Sequence, residues 1–264
     1  MMVSEMKKRG LEPCEVRFLA DDMLGAASGG TIASVVNIFE SYPTSKLVEL
    51  ANPFYLAPRG EDYKPIQATD SSIITAGSDN MVVGYDKILK RYTMPWIMQG
   101  IDTRVVNRSN ALSGWAYGRN FLYSERMIAP SLFSAIISMI LMPLGSALLF
   151  FPFTRNIVKK FLPKPGEGPN EEILKNGFFK IKLWGRGKNS DGKEEIIQGG
   201  IVALNGDPGY AQTAKLISEA AVCLLQEIST STSKVSGGVL TPSTAMGNQL
   251  REKLNTKGIQ FFVQ

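Results

Sequence analysis

Between Arg126 and Arg155 the chain carries no charged residue, and this stretch, Met127–Thr154, restricts the fold more than any other feature. Its length passes the roughly 18 residues at which an uncharged apolar run becomes a candidate membrane span. Pro143 and Gly145 interrupt its middle, and Pro130 and Pro152 lie near its ends. A proline inside a helix removes a backbone donor and clashes with the preceding turn, at a cost of about 3 kcal/mol. Two short apolar helices bent at Pro143–Leu144–Gly145 therefore fit these residues better than one straight rod. Three arrangements remain: a membrane-associating hairpin that does not cross, a single span, and a helix pair buried in a core or subunit interface. Arg155, Lys159, Lys160 and Lys164 follow, with no acid before Glu167. Such a cluster suits anionic headgroups on a cytoplasm-facing membrane, at about 1 kcal/mol per basic group. It would also serve as a solvated basic linker ending at Pro163–Lys164–Pro165–Gly166.

Composition narrows the chemistry. The chain has no histidine, which excludes Ser-His-Asp triads, imidazole acid–base catalysis and the common histidine-ligated zinc sites, so no metal is expected. Its 264 residues are 44% hydrophobic, enough to bury a core in one or two domains. The net charge of +5 sits largely near the apolar run and the terminus, so no nucleic-acid partner is indicated. Cys14 and Cys223 lie far apart in regular-looking segments and read as reduced residues of an intracellular protein. Met1–Gly10 is polar and basic, resembles the tail of a polar helix, and carries no secretory signal.

In order along the chain, Cys14–Leu19 alternates as a short strand. It feeds a glycine-rich turn, Gly25–Thr31, and a helix with Ile32, Val35, Val36 and Phe39 at helical spacing. Ser28, Gly29, Gly30 and Thr31 would leave free N–H groups at that helix start, a weak anion or ligand site. The pattern is neither G-x-G-x-x-G nor G-x-x-x-x-G-K-[ST], so it assigns no nucleotide, and a capped tight turn is the simpler reading. Leu47–Leu56 continues as helix to Asn52–Pro53, and residues 57–82 read as a surface loop. Tyr92–Met98 is apolar and partly aromatic. Ile101–Leu112 begins a helix on which Arg104 and Arg108, four apart, share a face and could hold a carboxylate or phosphate. Phe121–Tyr123 leads into the apolar stretch.

Beyond the basic segment, Phe178–Gly185 and Glu195–Leu204 form a hairpin across Gly187–Gly192. Gly206–Tyr210 is turn chemistry before a helix from Ala211 to about Gln226. Thr230–Ser236 is a polar loop, Ser243–Asn255 a helix, and Ile259–Val263 a last strand. The count describes an α+β fold, a mostly antiparallel sheet with flanking helices, interrupted by an apolar membrane-associating helical hairpin.

Four motifs in this order carry a resemblance: Ser28–Thr31; Ile101–Asp102 with Val105–Ser109; Gly206–Tyr210 with Thr213–Ala214; and Gly237–Pro242 before the final helix and strand. Together they resemble the C-terminal portion of the saccharopine dehydrogenase-like oxidoreductases, which include the trans-acting enoyl reductases. The resemblance implies a substrate or dimerisation domain, with NAD(P) bound in full-length relatives by an N-terminal Rossmann domain whose fingerprint this sequence lacks. It thus implies no cofactor bound by this chain alone, a homodimer as one partner, and an intracellular place at membranes, lipid droplets or mitochondria in (glyco)lipid metabolism. It carries over no catalytic residue. Residues 1–126 and 178–264 are expected to be two parts of one domain, with 127–154 an insertion and 155–177 a basic Pro/Gly linker. A single crossing would separate those parts across a bilayer, which favours the hairpin. The alternative is a non-catalytic, membrane-anchored interaction protein of the same descent.

Overall fold

The computed structural model describes residues 1–26, 28–57, 82–164, 166–229 and 237–264. Its strands are β1 (Glu12–Leu24), β2 (Gly84–Asp86), β3 (Arg91–Pro95), β4 (Leu122–Ile128), β5 (Phe178–Lys188), β6 (Glu194–Ala203) and β7 (Ile259–Val263). Before the apolar stretch lie the helices α1 (Met2–Lys8), α2 (Gly29–Ser41), α3 (Thr44–Leu50) and α4 (Gln99–Leu112). The apolar stretch and its flank form α5 (Leu132–Phe150), α6 (Pro152–Val158) and α7 (Glu171–Asn176). The last part adds α8 (Ala211–Ser229), α9 (Pro242–Ala245) and α10 (Gly247–Thr256).

All seven strands belong to one sheet in the order β2-β3-β4-β1-β5-β6-β7. Only β1 and β4 run parallel, with Val16 opposite Tyr123; the other neighbours are antiparallel. Strands from both sides of the apolar helix therefore share one hydrogen-bonded ladder. Alternation along β1 divides the sheet's two faces. Val16 joins Met2, Met6, Leu11, Phe121, Leu183 and Ile197 in the main core, whereas Leu19 packs with Ile128 and Trp184 in a second one. A third cluster, Ala203, Leu254 and Ile259, seats α10. On the second face Asp86 is fully buried and accepts from Trp184 Nε1 at 3.0 Å and from the Ile88 and Leu89 amides. Arg17 pairs with Asp86 and Glu15 and lies 4.7 Å over the Trp184 ring.

Several expectations need correction. Helix α5 continues from Leu132 through Pro143 to Phe150, so the two short helices expected on either side of Pro143–Gly145 are one. Its start is fixed by a reciprocal Ser131–Ser134 capping box. It stops at Phe151, the residue before Pro152, where proline disfavours helical backbone. Pro152 instead occupies the first turn of α6, where its missing N–H costs nothing. The Thr154 hydroxyl donates to the Leu148 carbonyl at 2.7 Å and Arg155 Nη1 to Leu149 at 3.3 Å, so the orphan carbonyls of α5 have partners. Met127 and Ile128, placed in the apolar insertion, are the end of β4. The segment 155–177, expected as a linker, contains most of α6 and all of α7. The helix expected to Leu56 ends at Leu50, and the last helix breaks at Met246, where Gly247 has φ +52°. The helix of Met1–Gly10 is no polar tail, because Met2 and Met6 enter the core. The expected loops at 57–82 and 230–236 lie, but for Ala57 and Val82, outside the described residues.

Candidate functional site

Each of the arginines singled out from the sequence is bound to backbone carbonyls. Arg104 is buried; its Nε donates to Leu50 O at 2.8 Å and its Nη2 to Ala51 O at 2.5 Å, closing the C-terminus of α3. Arg108 donates to Leu56 O and Val239 O, each at 2.7 Å. The shared helix face exists, and what it grips is peptide, at positions far away in the chain. At the other predicted group, Ser28 is the N-cap of α2, its Oγ accepting from Thr31 N at 2.9 Å. Gly29 donates to Glu167 O at 2.9 Å, and a Cβ on Gly29 would fall 1.8 Å from Lys164 O. The approach that glycine permits here is taken by the chain's own backbone. The Gly29 amide and the space beside it are thus not open to a ligand phosphate.

Helices α5 and α6 leave many apolar side chains open. Among the described residues of α5 only Ala135 is buried, and Phe133 is 73% exposed. Ile140, Leu141 and Leu144 are also open, and the surface continues through Phe151, Phe153 (77%) and Phe161 (83%). By length and composition α5 could cross a membrane, a test that the core helix of a soluble protein also passes, but few residues of α5 are buried. The basic residues that follow are partly engaged. Arg155 is buried and donates to Phe39 O at 3.1 Å, near the end of α2. Lys159 donates to Glu40 at 2.9 Å, and this hydrogen bond is the first cause that holds the Glu40 carboxyl below its ordinary pKa. Lys164 N donates to Glu167 Oε2 at 2.8 Å, while Glu167 N donates back to Lys164 O.

Sequence reasoning missed a second feature on the main core face, a cavity of about 590 Å³ between the sheet, α1, α4 and α10. Its walls include Val16, Phe18, Val106, Leu183, Ile201 and Phe261, and Tyr123 stands among them. Behind that wall the Tyr123 hydroxyl donates to Glu125 Oε1. Glu125 is fully buried, and Asp102 of α4 faces it. Burial, followed by the Asp102 carboxylate, pushes Glu125 up to about 8; burial also raises Asp102. Burial and then the Glu125 charge push the Tyr123 phenol well above its ordinary value. The one signal was in β4, where Tyr123, Ser124, Glu125 and Arg126 place polar groups on both faces of an interior strand. Among the described residues no group of Cys, Asp and Glu could hold a metal ion.

In sequence the chain is similar to mycobacterial trans-acting enoyl reductases. One from Mycobacterium tuberculosis (strain ATCC 25618 / H37Rv), named provisionally as such, is 31% identical over 247 residues, covering 89% of this chain and 56% of the relative. The trans-acting enoyl reductases of Mycobacterium bovis (strain BCG / Pasteur 1173P2) and Mycobacterium ulcerans (strain Agy99) are 29% and 30% identical, over 64% of this chain and 40% of each relative. The chain spans about half the length of the curated relatives it matches. No family model matches it, and no solved structure matches significantly. These similarities support an oxidoreductase-like family.

Proposed function

We propose that this chain is the substrate-side, C-terminal portion of a saccharopine dehydrogenase-like oxidoreductase that works on a membrane or lipid-droplet surface in (glyco)lipid metabolism. The observation that carries the location is α5, whose apolar side chains are left open to solvent. Apolar patches of this kind on soluble monomers mark interaction or membrane sites. Because β1–β4 precede α5 and β5–β7 follow it in the same sheet, a lone crossing would tear the ladder apart. A helix lying in the interface, with Arg155 and Lys159 tying α6 to α2 beside it and Lys160 and Lys164 following, suits the topology. The enoyl reductase names of the relatives supply the chemistry, and NAD(P) belongs to that chemistry. Since the Gly29 amide is already held by the chain's own backbone, this reading gives the chain the substrate side of the reaction and no hydride step.

Two measurements test the reading. In flotation with anionic phospholipid vesicles the unmodified chain should rise with the lipid. The double variant Phe133→Glu, Ile140→Glu should partition at least roughly tenfold less, each side chain contributing about 1.5–3 kcal/mol of burial. Equal flotation of the two proteins, or none for the unmodified chain, would remove the membrane assignment. Titration with NADPH, followed by nicotinamide fluorescence, should give no saturable binding; a saturable curve would return the hydride step to this chain.

A further inference from the structure

We propose that the cavity beneath α1 and α10 binds one single-chain amphiphile with a carboxylate head, a free fatty acid, independently of the membrane-facing helices. Its volume of about 590 Å³ lies inside the roughly 300–1,000 Å³ range of small-molecule sites. A methylene takes up no more than water's share of about 30 Å³. That is room for one long acyl chain. The interior suits such a chain: Val16, Phe18, Val106, Leu183, Ile201 and Phe261 offer hydrocarbon against which its methylenes can be buried.

The charge on the lining selects the head. Lys7 and Arg251 line the cavity, and among the described residues no aspartate or glutamate does. Lys7 is exposed, which puts this cation at the mouth. Arg251 is half-sequestered there: its Nε is buried without a hydrogen-bond partner among the described residues. Its ion pair, with Glu252, is long at 3.8 Å. A ligand carboxylate would give the accessible part of this guanidinium a closer partner than Glu252. Asn248, in the first turn of α10, lines the same mouth, and no side chain caps that helix start. The lining thus combines donors and cations with hydrocarbon.

The test is a titration of the whole chain with cis-parinaric acid, a fluorescent fatty acid, followed by displacement with palmitate or with hexadecanol. Saturable binding at one site per chain is expected. Palmitate should compete about tenfold or more better than hexadecanol, the effect of one charge-assisted contact. Arg251→Gln should erase that preference, and Ile201→Trp, which fills the cavity, should abolish binding. The flotation-deficient Phe133→Glu, Ile140→Glu variant should bind the probe like the unmodified chain, so failure of the membrane reading leaves this result untouched. Probe uptake that does not saturate, equal competition by acid and alcohol, or loss of binding in the α5 variant would overturn the proposal. The head-group comparison is read on the unmodified chain, so it decides the matter even if the Ile201 variant does not fold.

Discussion

Asp207→Ala should lower the stability of this protein by about 3 kcal/mol, more than any cap on its surface helices would. Asp207 is fully buried, and its carboxylate is the acceptor for three successive backbone amides. Oδ2 accepts from Gly209 N and Tyr210 N, each at 3.0 Å, and Oδ1 accepts from Ala211 N at 2.9 Å. These are the free donors at the start of α8, and the Asp207 carbonyl accepts from Gln212 N at 2.9 Å as well. Alanine leaves three partly buried N–H groups without this acceptor, each loss costing about 1 kcal/mol. At this chain length the melting temperature should fall by roughly 6–12 °C. Asp207→Asn keeps one acceptor oxygen and should fall between the two. The neighbour across the turn reports the same junction: a Cβ on Gly177 would lie 2.3 Å from Asp207 Cα, so Gly177→Ala should be of similar severity. Circular dichroism melts of the three variants check the ordering. An Asp207→Ala melt within about 2 °C of the unmodified chain would mean that water replaces the carboxylate, and that the turn is not the keystone of α8.

That turn was legible as Gly206–Asp207–Pro208–Gly209, because its chemistry is local. The same holds for the β5–β6 hairpin, whose alternation and Asn189–Gly192 turn need no tertiary information, and for β7, found over Ile259–Val263 as expected. The mostly antiparallel sheet was legible for this reason. The parallel β1–β4 pair was not. Polar residues alternate on both faces of β4, and they become intelligible only with Asp102, Thr93 and Val82 around them. Pro143 misled because its local cost is modest beside a well-capped helix of otherwise favourable residues. Met2 and Met6 carried the i,i+4 spacing of a buried face, yet Ser4 and Glu5 between them and Lys7 and Lys8 after them made the segment look solvated. Arg104 and Arg108 show the limit most plainly. Spacing put them on one face of α4, but carbonyls some fifty residues earlier, and one near residue 240, decide what they hold.

Glu125→Gln should turn a pH-sensitive fold into a flat one. The Glu125 carboxyl ordinarily ionises near 4.5; here burial and the facing Asp102 carboxylate push it up to about 8, and Asp102 moves in the same direction. Tyr123, whose hydroxyl donates to Glu125, stays protonated throughout, since its phenol is pushed further up. Over the range between the two values the folded protein keeps a proton that the unfolded chain has released, so stability falls as pH rises. The contribution is whole below about pH 4.5 and is lost progressively until pH has passed about 8. At about 1.4 kcal/mol per pH unit for one proton, the loss between pH 6 and 9 should be on the order of a few kcal/mol, or roughly 5–10 °C in the melting temperature. Glutamine matches the neutral acid in shape and can still accept from Tyr123 and donate to Asp102, without a charge to bury. The variant should therefore melt close to the unmodified chain at pH 6 and well above it at pH 9. Parallel curves for the two proteins would contradict the shared proton and place the slope elsewhere. A shallower curve for Glu125→Gln would locate the linkage at the wall of the cavity, where Tyr123 joins the acid pair to the space proposed for the acyl chain.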